Sequence, residues 1–359
     1  MTFTTRSFCA PLWALKPHAQ TLAGKFLRPR LSLPLRRERW ETPDADLLLL
    51  DFADEGLEEA PLVLLLHGLE GSALRPYALL SYRALRREGL AAVGLNFRSC
   101  GGEPNRLARS YHSGETGDPR WVLERLRQRW PERRLGALGF SLGGNVLLNL
   151  LAEQGAAGAE FVQAAAVVSV PFDLSASADA LERGPLVRAY TRYFLRSLIA
   201  KVEAKQDLLG AEKVERIRRA RTMREFDDRA TAPIHGFRDA AHYYASCSSA
   251  RCLDRVRAPT LVIQSLDDPF LPQAALPEAA LRRNPALVPL LTERGGHVGF
   301  VHGPAWAPRF FAEEEAARFL AAALLDPLHQ PLHARAQQQG KHSDSADDHG
   351  NRAEELERG

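Results

Sequence analysis

Residues 62–66 are five aliphatic side chains in a row, Leu62-Val63-Leu64-Leu65-Leu66, and they run into His67-Gly68. A strand with one wet face alternates apolar and polar residues, because successive side chains point to opposite sides. An unbroken run instead fits a strand buried on both faces, and such strands belong to sheets covered by helices on each side. The neighbouring sequence keeps the same rhythm. Apolar strand-sized runs at 47–52, 90–96, 134–140 and 161–170 alternate with helical patterns at 77–88, 121–130 and 142–154. In the last of these helices Val146, Leu147, Leu150 and Leu151 share a face. Strands alternating with helices imply right-handed crossovers and a mainly parallel sheet, whose ligands bind beyond the carboxyl ends of the strands.

The rhythm stops at Pro171 and resumes near residue 258, with strands at 260–265 and 287–292 and helices at 273–283 and 310–325. Pro289 cannot donate to a ladder, so the last strand is expected at a sheet edge. The expected organisation is an irregular arm over residues 1–35 and a catalytic domain over 36–326. That domain carries a helical cap at 171–257. Residues 327–359 form a polar tail without apolar periodicity, expected to be disordered. With 47 basic and 44 acidic residues the net charge is +3, which offers no footprint for nucleic acid. The longest aliphatic runs, at 47–50 and 62–66, are too short to cross a bilayer. The first twenty residues carry Arg6, Lys16 and His18 and lack the apolar core of a leader. Four cysteines, Cys9, Cys100, Cys247 and Cys252, with no C-x-x-C pair, fit a reducing compartment and no metal site. The expectation is a cytoplasmic chain.

The run at 134–140 ends in Gly139-Phe140-Ser141-Leu142-Gly143, and a helix follows at once. This is a nucleophile elbow in its required strand–turn–helix setting, and it points to an α/β-hydrolase fold with Ser141 as nucleophile. At average glycine usage a chain of this length yields roughly 0.1 such matches by chance, and the flanking strand and helix lower that further. A serine hydroxyl needs a base to take its proton. The base is expected after the last strand, where Gly295-Gly296-His297-Val298-Gly299 presents His297; His302 reads as structural. The acid is expected after the preceding strand, at Leu266-Asp267-Asp268-Pro269-Phe270. Asp268 is preferred because Pro272 lies four residues beyond it. Asp267 and Asp173 remain open alternatives. The backbone amides of Leu69 and Leu142 are expected to form the oxyanion hole. His67 reads as a structural organiser of its loop and Glu70 as a solvated loop charge. The chemistry calls for no cofactor.

With these residues in place, the sequence resembles the YheT-like hydrolases, relatives of abhydrolase-domain-containing proteins 1 and 3 and of the yeast medium-chain ethyl-ester synthases/esterases. The resemblance rests on Trp13-Ala14-Leu15, His18-Ala19-Gln20-Thr21-Leu22, His67-Gly68-Leu69-Glu70-Gly71-Ser72 and Asn96-Phe97-Arg98 with Gly102-Glu103-Pro104-Asn105-Arg106. It extends through Tyr111-His112-Ser113-Gly114-Glu115-Thr116 and Arg224-Glu225-Phe226-Asp227-Asp228 to the Asp268 and His297 segments. It implies a charge-relay triad on Ser141, Asp268 and His297, hydrolysis of carboxylic esters, and acyl transfer to alcohols in some members. One departure is Arg98-Ser99-Cys100-Gly101-Gly102, where the family pattern leads one to expect a glycine nearer Arg98.

In the cap, Leu186, Tyr190, Phe194 and Leu198 recur every four residues as one stripe of a helix, beside a basic stripe of Arg188, Arg192 and Arg196. The stripe either packs on the domain with its arginines in water, or lines an acyl pocket while the arginines meet anionic lipid head groups. Tyr243 and Tyr244 are candidate channel residues, and residues 111–114 either anchor the following helix or reach the site. The expected substrate is a small-molecule or lipid-like ester of short to medium acyl length, with peripheral membrane contact compatible and no transmembrane segment. An alcohol O-acyltransferase using the same triad is the alternative. A non-catalytic binding protein on a hydrolase scaffold is the remote one.

Overall fold

The computed structural model describes residues 3–326. The polar tail at 327–359 lies outside the described residues. Eight strands form one sheet: β1 (Arg36–Glu41), β2 (Leu47–Ala53), β3 (Leu62–Leu66), β4 (Ala91–Asn96), β5 (Leu135–Phe140), β6 (Ala164–Val168), β7 (Thr260–Ser265) and β8 (Leu287–Thr292), in the order β1-β2-β4-β3-β5-β6-β7-β8. β1 and β2 run antiparallel to their neighbours, and the pairs from β4 to β8 are parallel. Every residue of β3, β5, β6 and β7 is buried, including the polar Thr260, Gln264 and Ser265 of β7. Pro289 sits in β8 at the sheet edge, where its missing N–H costs no ladder bond.

The helices are α1 (Pro17–Phe26), α2 (Pro76–Arg87), α3 (Gly117–Arg129), α4 (Leu142–Phe161), α5 (Leu174–Ala180), α6 (Pro185–Glu203), α7 (Gln206–Leu209), α8 (Ala211–Arg218), α9 (Met223–Phe226), α10 (Ala232–Ile234), α11 (Ala240–Cys247), α12 (Glu278–Arg283) and α13 (Phe311–Leu324). α2 and α13 pack together on one face of the sheet. α3 and α4 cover the other, so the apolar strands are shielded on both sides. α5–α11 lie between β6 and β7 as a helical insertion, and a 3-10 turn at Ser249–Arg255 brings the chain back against α4.

Two expectations need correction, and one strand has no counterpart in the sequence reading. The arm is not irregular throughout: it contains α1. Its Gln20 is fully buried, donates to the carbonyls of Ala14 and Val301, both at 3.0 Å, and accepts the Val301 N–H at 2.7 Å. The Val301 partner lies 281 residues along the chain, so local periodicity does not reveal the helix. The segment 273–283 is not one helix but a 3-10 turn at Gln273–Ala275 followed by α12, because Pro277 breaks the helical run between them. β1 has no apolar run at all; Arg-Arg-Glu-Arg-Trp-Glu reads as charged surface, which is how an edge strand is kept from pairing with other chains.

Beyond β4 the side chain of Arg98 is 1% exposed and meets Asp46 at 2.6 Å, Asp118 at 2.7 Å and Asp44 at 3.1 Å. Three carboxylates around one guanidinium tie the β1–β2 turn to α3. Ser99 follows at φ +64°, the left-handed conformation glycine adopts most easily, so the serine occupies a glycine-like position. Its hydroxyl donates to the Asn105 side chain at 2.6 Å and accepts the Asn105 N–H at 3.0 Å, which holds the turn. Replacing Arg98 by Met leaves buried carboxylates uncompensated. Urea unfolding should show a loss of about 3–5 kcal/mol, and a loss under about 1 kcal/mol would refute this account.

Candidate active site

Ser141 lies between β5 and α4 at φ +51°, a strained value for a residue with a side chain. The turn is possible because its flanks carry no Cβ. A Cβ on Gly139 would stand 2.6 Å from the Gly143 carbonyl oxygen, and one on Gly143 would stand 2.6 Å from the His67 carbonyl oxygen and closer still to that of Leu66. The two glycines let α4 press against the ends of β3 and β5. The hydroxyl is thereby lifted above the carboxyl edge of the sheet.

His297 Nε2 lies 3.0 Å from Ser141 Oγ, and its Nδ1 lies 2.8 Å from Asp268 Oδ2. The Asp268 side chain is fully buried and its other oxygen accepts the Phe270 N–H at 2.9 Å, which fixes the carboxylate. Asp267 points elsewhere: it accepts from the Ser265 hydroxyl and from the Gly296 N–H, bracing the turn that carries His297. Asp173 caps α5 through the Ala176 N–H at 3.0 Å. His302 sits in a two-stranded hairpin at Val301–His302 and Arg309–Phe310. The structure thus gathers Ser141, His297 and Asp268, and leaves Asp267 and Asp173 in supporting turns.

The loop after β3 faces the serine. A Cβ on Gly68 would lie 3.3 Å from Ser141 Cβ. The amides of Gly68 and Glu70 are taken by the hydroxyls of Tyr77 at 3.0 Å and Tyr111 at 2.9 Å. The Leu69 amide between them has no acceptor among the described residues. Leu142 opens α4, so its N–H has no intrahelical acceptor either. His67 is buried under this loop; it donates to the Gly68 carbonyl at 2.7 Å and accepts the Phe97 N–H at 3.1 Å. Glu70 is not a solvated charge. It is buried at φ +52°, accepts from Tyr111 at 2.7 Å and from Lys201 Nζ at 2.8 Å, and is bonded by Ser197. Ser197 and Lys201 belong to α6, so the cap grips the loop directly.

The expected list missed the support of His297. Its backbone N–H donates to Thr21 Oγ1 of α1 at 2.9 Å, and the next N–H donates to Ser169 Oγ at 2.9 Å. The ring of Phe270 covers the imidazole with centroids 4.6 Å apart. The signal for Thr21 was the N-terminal His-Ala-Gln-Thr-Leu string, which carries no chemistry on its face.

Above Ser141 a cavity opens between sheet and cap, with about 1190 Å³ of free space including its mouth. Phe194, Leu198, Val202, Met223 and Phe226 give it an apolar wall, and Tyr243 and Tyr244 border it. Residues 111–114 do both things considered for them. Ser113 is anchored by Asn145 at 2.7 Å and Tyr243 at 2.9 Å, while Tyr111 and His112 line the cavity. Burial pushes His112 down to about 4, and His67 and His235 down to about 3. Asp227 is pushed up to about 6, also by burial, although Thr231 and Tyr244 bond it.

These shifts set a stability profile. Below pH about 6.5 the unfolded chain protonates each of the three histidines while the folded chain does not, so stability falls as pH drops toward 4. Asp227 opposes this between pH about 4 and 6, since there the folded state holds the extra proton. Each group contributes about 1.4 kcal/mol per pH unit in its window. The His235→Gln variant should therefore lose about 1.4 kcal/mol less than the parent between pH 6 and pH 5 in urea unfolding. An equal loss would refute the assignment.

An elbow serine at the end of the middle strand, the order serine–acid–histidine along the chain and a helical cap over the strand ends define an α/β hydrolase. The family model of the alpha/beta hydrolase fold matches residues 61–304. YheT of Escherichia coli (strain K12), an esterase by name, is 37% identical over 312 residues, covering 86% of this chain and 91% of its own length. Phospholipase ABHD3 of Mus musculus is 30% identical over 308 residues, covering 83% and 74%. Among solved structures, the esterase Pf2001 of Pyrococcus furiosus superposes with a TM-score of 0.55 at 16% identity, covering 90% of this chain and all of that one; it supports the fold alone. The chain belongs to the α/β-hydrolase family, in its YheT-like branch, and is an enzyme of the esterase/lipase type.

Proposed function

We propose that the chain is a serine hydrolase that cleaves carboxylic esters through an acyl-enzyme on Ser141. The observation that carries this reading is the unbroken relay from Ser141 Oγ through His297 to the buried Asp268 at the foot of an apolar cavity. His297 Nε2 takes the hydroxyl proton as Oγ attacks the ester carbonyl. The amides of Leu69 and Leu142 receive the developing oxyanion, each worth about 3 kcal/mol of barrier. His297 then hands its proton to the departing alcohol. Water attacks the acyl-enzyme with His297 again as base, and Ser141 is regenerated. Asp268 keeps Nδ1 protonated and stabilises the imidazolium. The apolar wall formed by Phe194, Leu198 and Phe226 supports acyl chains of short to medium length.

A fluorophosphonate probe should label the protein, and Ser141→Ala should abolish both labelling and hydrolysis of p-nitrophenyl esters. Asp268→Asn should lower kcat by about 10⁴-fold, the size of effect expected when the imidazole loses its tautomer, while Asp267→Asn retains most activity. Undiminished labelling of Ser141→Ala, or the reverse order of the two aspartates, would overturn the assignment. Running the p-nitrophenyl series over increasing acyl length defines the pocket. Adding ethanol measures how the acyl-enzyme divides between water and alcohol.

Lys201 offers a sharper test of the oxyanion assignment. Its ammonium is the counter-charge that holds Glu70, and through it the peptide unit next to Leu69. Lys201→Met should lower kcat by about 10- to 100-fold with little change in KM, as a small misplacement of the donor implies. Lys201→Arg should restore most of it. A change confined to KM would instead make Lys201 a substrate contact.

A further inference from the structure

Ten large apolar side chains are notably exposed among the described residues, and they are not scattered. Four belong to the N-terminal arm: Leu12 at 89%, Trp13, Phe26 at 70% and Leu27. Two more, Leu186 and Tyr193, lie seven residues apart on α6, hence on one side of that helix. A seventh, Trp306 at 88%, is in the loop that Trp13 holds by donating to the Gly303 carbonyl at 3.0 Å. α1 and α6 touch: Lys25 Nζ sits 4.0 Å from the Tyr193 ring centroid and 5.6 Å from that of Phe26. Seven of the ten thus lie on the arm, on α6 or on the loop bonded to Trp13, and Lys25, Phe26 and Tyr193 mark the α1–α6 seam.

The seam adjoins the site. The ring of His297 meets Phe270 at 4.6 Å, Phe270 meets Phe194 at 6.4 Å, and Phe194 meets Tyr193 at 5.7 Å. An aromatic path therefore leads from the relay to the exposed patch. The charge along the seam has one sign. α1 and α6 carry Lys25, Arg188, Arg192 and Arg196, with Lys201 already paired to Glu70 on the cavity side, against a single acid, Glu203, at the far end of α6. Arg188, Arg192 and Arg196 are exposed.

We infer that the α1–α6 seam is a docking surface for an anionic lipid bilayer, from which a lipid-like ester enters the cavity beside His297; this deepens the ester-hydrolase reading and rests on it for the identity of the cargo. Exposed aromatic and aliphatic side chains interleaved with basic ones suit the boundary between head groups and acyl chains. Lys25, lying across two rings, can keep its charge among phosphates while its stem stays in the apolar layer. A second copy of this chain fits less well. A two-fold contact sets the same patch against itself and so opposes cation to cation.

Flotation with phosphatidylcholine vesicles, and with vesicles of phosphatidylcholine and phosphatidylglycerol at 3:1, tests the surface on the full chain. Binding should appear on the anionic vesicles, at least about tenfold tighter than on neutral ones, and be lost in 0.5 M NaCl, roughly a 4 Å screening length. The pair Arg192→Gln and Arg196→Gln should weaken it about 30-fold, from ~1 kcal/mol per basic side chain near an anionic surface. The pair Phe26→Ser and Trp306→Ser should weaken binding to the anionic vesicles at low salt as well, although it leaves the charge unchanged. All variants should hydrolyse p-nitrophenyl acetate within about twofold of the parent, which separates a failure of docking from a failure of the ester reading. No vesicle binding by the parent overturns the proposal, whether a second copy or the tail occupies the seam. Equal binding by parent and variants overturns it too, because the contact then lies elsewhere.

Discussion

The approach of α4 to the ends of β3 and β5 sets the rest of the site. Gly139 and Gly143 admit the helix to a distance at which one added carbon on either would meet a backbone oxygen. The sharp turn at Ser141 follows from that contact, and so do the position of Leu142 at the helix start and the nearness of the β3 loop. Core packing and catalytic geometry are therefore one constraint here. The strain at Ser141 persists because close-packed strands and helix on both sides leave the turn no alternative.

Around this fixed centre, two other parts of the chain complete the site from outside the sheet. The cap contributes Ser197 and Lys201, which hold Glu70 in its left-handed conformation. The arm contributes Thr21, which holds the backbone of His297. Both attachments are polar and partly buried, where a hydrogen bond carries more weight than on the open surface. On the proposed reading the sheet supplies the reactive atoms, and the cap and arm set how well they are aimed.

The sequence carried the core and the candidate relay for a physical reason. Strands buried on both faces leave continuous apolar runs, and the elbow needs glycines at fixed offsets, so both leave local marks. What was lost has its cause elsewhere in the chain. α1 was unreadable because its buried face is anchored by Gln20 to Val301, and β1 because an edge strand is charged by design. Glu70 looked like a loop charge because its partner Lys201 is 131 residues away. Asp267 and Asp268 differ only in which way each side chain leaves the turn, and nothing in Asp-Asp-Pro encodes that. The departure after Arg98 was the reverse case. Ser99 adopts the φ of a glycine, and its hydroxyl bonds with Asn105 compensate.

The bond between Thr21 and His297 spans 276 residues. It ties a helix outside the sheet to the turn that carries the imidazole, so the seating of that turn depends on α1 staying docked. Heat or denaturant that loosened α1 first would release the His297 backbone while the sheet and the elbow stayed intact. On the proposed reading, hydrolysis would then fail before the core melts.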